Sequence, residues 1–535
     1  MAKEKLYLFD TTLRDGQQTQ GVDFSVEDKI SIAKALDSFG LDYIEGGWPG
    51  ANPTDTNFFE SRPKFKNSKF TAFGMTKRSG RSADNDPQLR ALIDSGAESI
   101  CLVAKTWDYH VDVALGITLD ENILSIKESV DAVKKNQLES LIDCEHFFDG
   151  FKSNPDFSLS CIESALKAGA DWVVLCDTNG GTLPGEIFEI VSAVSKRFSG
   201  KNIGIHCHND TENAVANSLA AIDAGARQVQ GTLNGLGERC GNANLISLIP
   251  TLLLKDRYAR DYEISISKKD LRNLKDISIL LDGILNRQPN KHQPYVGDNA
   301  FAHKGGLHVS AVMKDPSTYE HENPDYVGNI RKILVSNQAG KSNLLSRLSS
   351  VGIEVKNNDQ RLNELLEAVK EKEFRGYSYD GAGASFELLA KNILNKVPHF
   401  FTVDDYEISI KKQSSDISSD LTSEAFIKVN VEGRQIQSSG KGNGPVNALD
   451  KALRKDLGIY DSHLKDLVLV DYKVRILNGG TEAITRVVIE SIDKDDKSWF
   501  TVGVSPNIVE ASLMALMDSI QYKLIKDNAP LPKNY

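Results

Sequence analysis

Two histidines separated by a single residue, His206 and His208, lie in the stretch GIHCHND. On an extended strand, alternate side chains share a face, so both imidazoles would point one way and Cys207 the other. Two imidazoles on one face are typical of a metal site. The pair by itself lacks a third ligand and is also compatible with two inert, hydrogen-bonded histidines near a strand end.

Asp15, in the stretch FDTTLRDG near the start of the chain, is a carboxylate that would complete the set. Two imidazoles, one carboxylate and open positions suit a divalent ion in a catalytic site. Cupins, which are jelly rolls, also bind metals through H-x-H pairs, and non-haem iron oxygenases bind iron through two histidines and one carboxylate. The alternation of helices and strands argues against a jelly roll, and no oxygenase signature accompanies the pair.

The elements that must position these residues recur along the first 250 or so residues. Four segments share a helix end, a glycine and an apolar strand: ALDSFGLDYIEGG, LIDSGAESICLVA, ALKAGADWVVLCD and AIDAGARQVQGTL. The glycine would take the left-handed position past the helix, and Ser25 would cap the first helix. With KLYLFDTTL, FTAFGMT, SLIDCEHF and NIGIHCHND, eight strands are predicted. Eight βα units predict an α/β chain with a (β/α)8 TIM barrel. A doubly wound sheet also alternates strands and helices, but the glycine motif of its dinucleotide-binding members is absent from this sequence.

The pattern changes twice after the barrel. Helices joined by polar loops follow it, and then two similar passes of strands, a glycine-bearing loop and a helix. We therefore predict a catalytic barrel over 1–265, helical linker subdomains over 266–400 and a duplicated α+β regulatory domain over 401–535. A duplicated module attached to an enzyme is more typical of ligand sensing or dimer formation than of chemistry.

Polar residues concentrate where the predicted barrel strands end, which is where TIM barrels carry catalytic groups. Besides the residues already named, they are Arg14, Glu145, His146, Asp177, Thr178, Glu238, Arg239 and Asn242. Structural roles are the alternatives: a turn pair for Arg14 with Asp15, a buried pair for Glu145 with His146, and a helix cap for Asn242.

Composition excludes several classes of function. The net charge of −11 argues against a broad nucleic-acid or anionic-membrane surface, and no apolar run is long enough for a spanning helix. No signal segment precedes the first strand, so we expect a cytoplasmic protein. The cysteines include no C-x-x-C pair and are expected to be free thiols: Cys101, Cys144, Cys161, Cys176, Cys207 and Cys240.

Three motifs in order, FDTTLRDG, HCHND and NGLGERCGNANL, resemble the acyl-CoA-dependent Claisen condensing enzymes of the 2-isopropylmalate, homocitrate and citramalate synthase family. The resemblance extends over nearly the whole chain, including GGLHVSAVMKDPSTYEHENPDYVG and the duplicated module. Within the family, EGGWPGANPTD and AHKGGLHVSAV are most similar to the citramalate-forming branch.

The resemblance implies a role for each matching residue. Asp15, His206 and His208 would bind a divalent ion (Mg²⁺ or Mn²⁺, with Zn²⁺ as a further option), and Asn242 would contribute directly or through water. Arg14 would bind the 2-oxoacid and stabilise the alkoxide, with Thr178 seating the substrate carboxylate. The remaining implied catalytic residues are Glu145, His308 and Tyr319. Whether Glu145 or His308 is the base stays open, as does whether His308 and Tyr319 act across a subunit interface.

The implied reaction joins acetyl-CoA, pyruvate and water to give (R)-citramalate and CoA, in isoleucine biosynthesis. A homodimer with feedback inhibition through the C-terminal domain, by isoleucine as effector, is expected. The first alternative is a 2-isopropylmalate synthase, which takes a larger 2-oxoacid in leucine biosynthesis. A metal-dependent lyase or aldolase on the same barrel is less compatible with the appended module. A non-catalytic amino-acid-binding regulator is less compatible with a complete set of metal ligands.

Overall fold

The computed structural model describes residues 3–61, 63–333, 341–356, 359–395, 397–412, 421–477, 483–495 and 498–532. The chain divides into two compact units, Met1–Phe301 with Glu322–Arg331, and Ala302–His321 with Lys332–Tyr535. Each unit has hydrophobic clusters of its own. Among the helices of the described residues, none has the length and hydropathy needed to cross a membrane.

The first unit contains a closed barrel of eight parallel strands, in which the last strand pairs with the first. The strands are β1 Tyr7–Asp10, β2 Tyr43–Glu45, β3 Lys69–Met75, β4 Ser99–Lys105, β5 Glu139–Glu145, β6 Trp172–Asp177, β7 Ile203–Cys207 and β8 Gln228–Gly231. They coincide with the eight apolar runs of the sequence, so the predicted TIM barrel is confirmed.

Helices surround the strands and bury their apolar faces against the barrel. They are α1 Val26–Phe39, α2 Pro53–Glu60, α3 Pro87–Ile93, α4 Leu119–Lys135, α5 Phe147–Ser153, α6 Pro155–Lys167, α7 Pro184–Arg197, α8 Ala214–Asp223, α9 Leu245–Leu254, α10 Asp256–Asp261 and α11 Leu274–Ile284. Ser25 caps α1 through a capping box with Asp28, as predicted. Gly40 ends α1 at φ 101°, in the left-handed region that favours glycine.

The barrel interior changes character along its axis. A mainly aromatic cluster fills one part: Phe9, Tyr43, Phe73, Cys101, Leu141 and Trp172. Buried polar side chains occupy the part near the carboxyl ends of the strands, among them Glu45, Asp143 and Gln230. Because inward side chains alternate along each strand, these polar residues form a layer below the barrel mouth.

One fully buried lysine connects the loops that follow β1 and β2. The Nζ atom of Lys29 donates to the carbonyl oxygens of Leu13 and Gly46, at 2.8 and 3.0 Å. It also forms an ion pair with Asp55, which accepts a hydrogen bond from the Trp48 backbone N–H. A buried charge is stable only when it is paired and hydrogen-bonded, so this lysine fixes both loops. The first of them carries Arg14 and Asp15.

The second unit contains shorter helices followed by a repeated α+β arrangement. Its helices are α12 Gly306–Val312, α13 Lys341–Ser350, α14 Arg361–Phe374, α15 Gly383–Asn395, α16 Pro445–Lys455 and α17 Ile508–Lys526. Its longer strands are β9 Thr402–Lys412, β10 Leu421–Val431, β11 Arg434–Gly442, β12 Val468–Ile476, β13 Thr485–Ile492 and β14 Trp499–Ser505. They form two antiparallel three-stranded sheets, each followed by a helix. The duplicated module is thus confirmed, whereas the boundaries at 265 and 400 stay predictions.

Candidate active site

Asp15, His206 and His208 lie together at the carboxyl ends of the barrel strands. Each offers one ligand atom, and these atoms are within 4.8 Å of one another. The Nε2 atoms of His206 and His208 are 3.6 and 3.9 Å from Oδ2 of Asp15. All three residues are buried. The structure therefore brings together the two imidazoles and the carboxylate that the sequence predicted as metal ligands.

A buried glutamine sets the orientation of the first imidazole. The Oε1 atom of Gln230, on β8, accepts a hydrogen bond from Nδ1 of His206 at 2.8 Å. The Nε2 atom of Gln230 in turn donates to Asp143 Oδ1 at 3.1 Å. With Nδ1 donating to Gln230, His206 directs Nε2 toward Asp15, and Nε2 is the atom that remains to bind a metal. Gln230 was not predicted, although the polar alternation QVQG inside an apolar strand was a usable signal.

Asn242 contributes to the same cluster from the loop after β8. Its Nδ2 donates to Asp15 Oδ1 at 2.9 Å and to the Leu236 carbonyl at 3.1 Å. Its Oδ1 is buried and has no hydrogen-bond partner among the described residues. A buried, unsatisfied oxygen beside two imidazoles and a carboxylate is a donor set that fits a divalent cation. This geometry supports Asn242 as a fourth contributor.

The charges of these groups also suit a cation. Burial raises the pKa of Asp15, but Arg14 and the two imidazoles outweigh burial and lower it to about 2. Burial, together with His206, lowers the pKa of His208 to about 4. At neutral pH Asp15 is therefore an anion and His208 is uncharged, and these are the forms in which both side chains bind metals.

The guanidinium of Arg14 lies beside the predicted metal ligands and is held on three sides. Nη1 donates to Asp15 Oδ2 at 2.9 Å, and Nε donates to Glu45 Oε2 at 2.7 Å. The group also lies over the ring of Phe73, 3.9 Å from its centroid. Burial acts to lower the pKa of Arg14, but Glu45 and Asp15 raise it above its usual value. Arg14 is thus a fixed cation next to the site.

Two buried carboxylates below Arg14 were not predicted. Glu45 and Asp143 lie with Cys101 in a cluster whose polar atoms are within 4.8 Å of one another. Burial raises the pKa of both carboxyl groups, while Arg14 opposes this shift in each. Glu45 accepts a hydrogen bond from Nε of Arg14, and Asp143 accepts one from Nε2 of Gln230. Single charged residues inside the apolar strands YIEGG and SLIDCE were the sequence signal.

Glu145 ends β5 and lies two residues beyond Asp143 on the same strand face. It forms an ion pair with Lys105 at the end of β4, and its Oε2 is 3.8 Å from Nδ1 of His110. The pairing of Glu145 with His146, considered as a structural alternative, is not what the structure has. Instead, Nδ1 of His146 is 3.2 Å from the carboxylate of Asp149.

Thr178 follows β6, and its surroundings connect three loops. Its hydroxyl oxygen accepts a hydrogen bond from the His146 backbone N–H at 2.8 Å. Its carbonyl oxygen accepts one from Arg239 at 2.7 Å. Arg239 also donates twice to the carboxylate of Asp210, at 2.7 and 2.8 Å. Arg239 is farther from Glu238, with 3.8 Å between Nη1 and Oε2, and its bidentate clamp on Asp210 ties together the loops after β6, β7 and β8.

His308 and Tyr319 belong to the second unit. Their rings stack on each other with centroids 4.1 Å apart, and Tyr319 is 44% exposed. The structure thus brings these two predicted residues together as a pair within that unit.

Family models match almost all of this architecture. The model described as HMGL-like matches residues 5–278, the homocitrate synthase post-HMGL domain-like model matches 295–376, and the LeuA allosteric (dimerisation) domain matches 380–524. An (R)-citramalate synthase of Aquifex aeolicus is 52% identical over 98% of this chain and 98% of its own. One of Geobacter sulfurreducens is 49% identical over 97% of each chain. This chain belongs to the citramalate synthase family.

The resemblance found in the three motifs is thereby confirmed. A probable 2-isopropylmalate synthase of Methanopyrus kandleri is more distant, at 32% identity over 97% of this chain and 98% of its own. The similarity to citramalate synthases and to this probable 2-isopropylmalate synthase thus extends over nearly the full length of this chain. The cluster around Asp15 lies within the part that matches the HMGL-like model.

Replacing Gln230 with Leu is expected to weaken binding of Mn²⁺ by about 10- to 100-fold, because the imidazole of His206 loses the acceptor that fixes its tautomer. Titration calorimetry on the purified variant measures this directly. The matched control is Gln228→Leu, because Gln228 is equally buried on the same strand and its amide atoms have no partner among the described residues. Equal affinities in the two variants would contradict the role given to Gln230.

Proposed function

We propose that the chain is an (R)-citramalate synthase, which condenses acetyl-CoA with pyruvate and water to give (R)-citramalate and CoA. The full-length similarity to enzymes of that name carries the proposal. The cluster of Asp15, His206 and His208 beside Arg14 supports it, because a 2-oxoacid needs both a Lewis acid and a cation near its ketone. Acetyl-CoA and pyruvate are accordingly the substrates.

A divalent ion would be held by Asp15, His206, His208 and Asn242. Mg²⁺ and Mn²⁺ suit the two oxygen donors of this set, which come from Asp15 and Asn242, and Zn²⁺ is an alternative. When bound, such an ion polarises the ketone of the 2-oxoacid. Arg14 binds the oxygen on which negative charge develops, and its fixed position costs no reorganisation during the reaction. Thr178, held by the loop clamp of Arg239 and Asp210, seats the substrate carboxylate.

The condensation also requires removal of a proton from the thioester methyl group. Glu145, His308 and Tyr319 are the residues that we assign to this half of the reaction, with Glu145 and His308 as the candidates for the base. The enolate carbon then forms the new C–C bond with the ketone carbon. Water finally hydrolyses the CoA thioester, and this step releases the free thiol.

We assign residues 1–265 to catalysis, 266–400 to the helical linker and 401–535 to regulation. The LeuA-type allosteric domain supports regulation by an amino acid. We propose isoleucine as this effector, because citramalate is a precursor of isoleucine. Two copies of the chain would form a homodimer that works in the cytoplasm in isoleucine biosynthesis. Deleting the regulatory domain should abolish inhibition by isoleucine.

The competing function is that of a 2-isopropylmalate synthase. The two acceptors differ by an isopropyl against a methyl group, so the volume of the acceptor pocket decides between them. Similarity over 97% of this chain to the probable 2-isopropylmalate synthase of Methanopyrus kandleri supports this alternative. The sequence identity to that protein, 32%, is lower than the 52% and 49% to the two citramalate synthases.

Measuring thiol release from acetyl-CoA with each 2-oxoacid separates these functions. We expect release with pyruvate at a kcat/KM at least about 10-fold above that with 3-methyl-2-oxobutanoate, the range that a few methyl groups in a pocket provide. Dialysis against a chelator should abolish release, and Mn²⁺ or Mg²⁺ should restore it. A preference for the larger acid would assign the chain to leucine biosynthesis. Cleavage of a hydroxyacyl-CoA without any condensation would point to a lyase.

A further inference from the structure

An ion pair between Lys105 and Glu145 joins the carboxyl ends of β4 and β5. Lys105 and Glu145 are register partners on these adjacent strands, and Nζ of Lys105 donates to Oε2 of Glu145. Their side chains are only 14% and 23% exposed. Because the pair is shielded from water, it interacts more strongly than an ion pair on the open surface.

Both side chains point into the barrel. Cys101 on β4 and Asp143 on β5 are interior residues, because each lies within 4.8 Å of Glu45 across the barrel. Side chains alternate along a strand, so Lys105, four residues after Cys101, and Glu145, two residues after Asp143, face the same interior. Both lie closer to the barrel mouth than Cys101 and Asp143. Glu145 therefore lies two residues, roughly 7 Å, from Asp143 along β5 in the direction of the barrel mouth.

The counter-charge of Glu145 comes from Lys105. His110 is also close, with Nδ1 at 3.8 Å from the Glu145 carboxylate. Burial lowers the pKa of His110, and Lys105 lowers it further against the opposite effect of Glu145. His110 is therefore uncharged at neutral pH. His146 is directed to Asp149 instead.

We propose that Lys105 is a positioning residue for the condensation and that it holds Glu145 as the anionic base that removes a proton from the acetyl methyl group. This inference rests on the proposed function. In the step, the methyl C–H bond breaks and its proton passes to Oε1 of Glu145, since Oε2 is bound by Lys105. The electron pair of that bond forms the C–C bond to the ketone carbon, whose oxygen takes up the negative charge next to Arg14.

The test is a double-mutant cycle on the full-length chain, with thiol release from acetyl-CoA and pyruvate as the assay. Glu145→Gln is expected to lower kcat by about 10²- to 10⁴-fold, the range for loss of a general base. Lys105→Met should lower kcat by at least 10-fold and leave the KM for acetyl-CoA within about threefold. Lys105→Arg should recover part of that loss. The double variant should be no slower than Glu145→Gln, because Lys105 acts through Glu145.

The barrel supplies a matched control at its opposite end. Lys69 forms an ion pair with Glu139, the first residue of β5, with 2.6 Å between Nζ and Oε2. Lys69→Met removes the same kind of contact from the same strand and should leave kcat unchanged. Thermal unfolding of each variant separates a folding defect from a catalytic one, and Lys105→Gln replaces Lys105→Met if the latter does not fold.

Three results would overturn the inference. One is a kcat of Lys105→Met within twofold of the wild type. A second is a raised KM for acetyl-CoA with unchanged kcat, which would assign Lys105 to CoA binding. A third is multiplication of the two single losses in the double variant. If the wild type releases no thiol with any 2-oxoacid, the proposed function itself fails, which is a different outcome from these three.

Discussion

Asp15→Asn is expected to remove nearly all activity and to weaken Mn²⁺ binding by more than about a hundredfold, beyond the effect of changing an outer-shell partner. The change keeps the shape of the side chain but removes the anion that two imidazoles and Arg14 surround. Titration calorimetry gives the affinity, and thiol release at saturating Mn²⁺ gives the activity. Because the pKa of Asp15 is about 2, this carboxyl group is ionised at neutral pH.

Asp94→Asn is the matched control for this change. Asp94 pairs with Arg90 on the surface of the barrel, and both side chains are more than half exposed. The control makes the same chemical substitution with little effect on folding, since exposed pairs contribute at most about 1 kcal/mol. Normal metal affinity in Asp15→Asn would exclude Asp15 from the ligand set.

Arg14→Met is expected to lower kcat/KM for pyruvate by about 10²- to 10³-fold, the usual effect of removing a preorganised donor at a developing oxyanion. Arg14→Lys should recover only part of this, because an ammonium lacks the planar fork with which the guanidinium donates from Nε to Glu45 and from Nη1 to Asp15, and it cannot stack flat on Phe73. Steady-state kinetics with varied pyruvate measures both variants.

The variant also leaves the carboxylate of Glu45 buried without its cation, which destabilises the fold by about 3–5 kcal/mol. The double variant Arg14→Met, Glu45→Gln removes that charge and should recover thermal stability without recovering activity. Recovery of activity together with stability would show that Arg14 acts on folding alone. Arg90→Met, at an exposed position, is the control for loss of a guanidinium.

The barrel was predictable because its signals are local. Glycines that end helices and apolar runs of strand length recur at a regular interval, and each run became a strand. The shared face of His206 and His208 followed from the period of an extended chain. Asp15 has no such local signal, since it lies in a turn after β1, and its place near the imidazoles depends on closure of the barrel between β1 and β8. Only the fold class made that proximity foreseeable.

The supporting residues were harder to find. Strands covered on both sides are expected to be apolar, so Glu45, Asp143 and Gln230 interrupt the pattern, but such an interruption does not indicate which side chains these residues contact. Lys105 was not singled out because its partner is 40 residues away in sequence and becomes a neighbour only through strand register. From the sequence, Lys29 is a polar residue of an amphipathic helix. In the structure it is fully buried, because its hydrogen-bond acceptors come from two loops and from Asp55.

Closure of the barrel between its first and last strands has a consequence for how the protein is made. During synthesis, Asp15 leaves the ribosome long before His206, His208 and Asn242, and an incomplete chain holds only a fragment of the proposed ion-binding set. Under this proposal, cation binding and completion of the barrel are thermodynamically linked, and a bound ion would stabilise complete molecules in preference to partial ones.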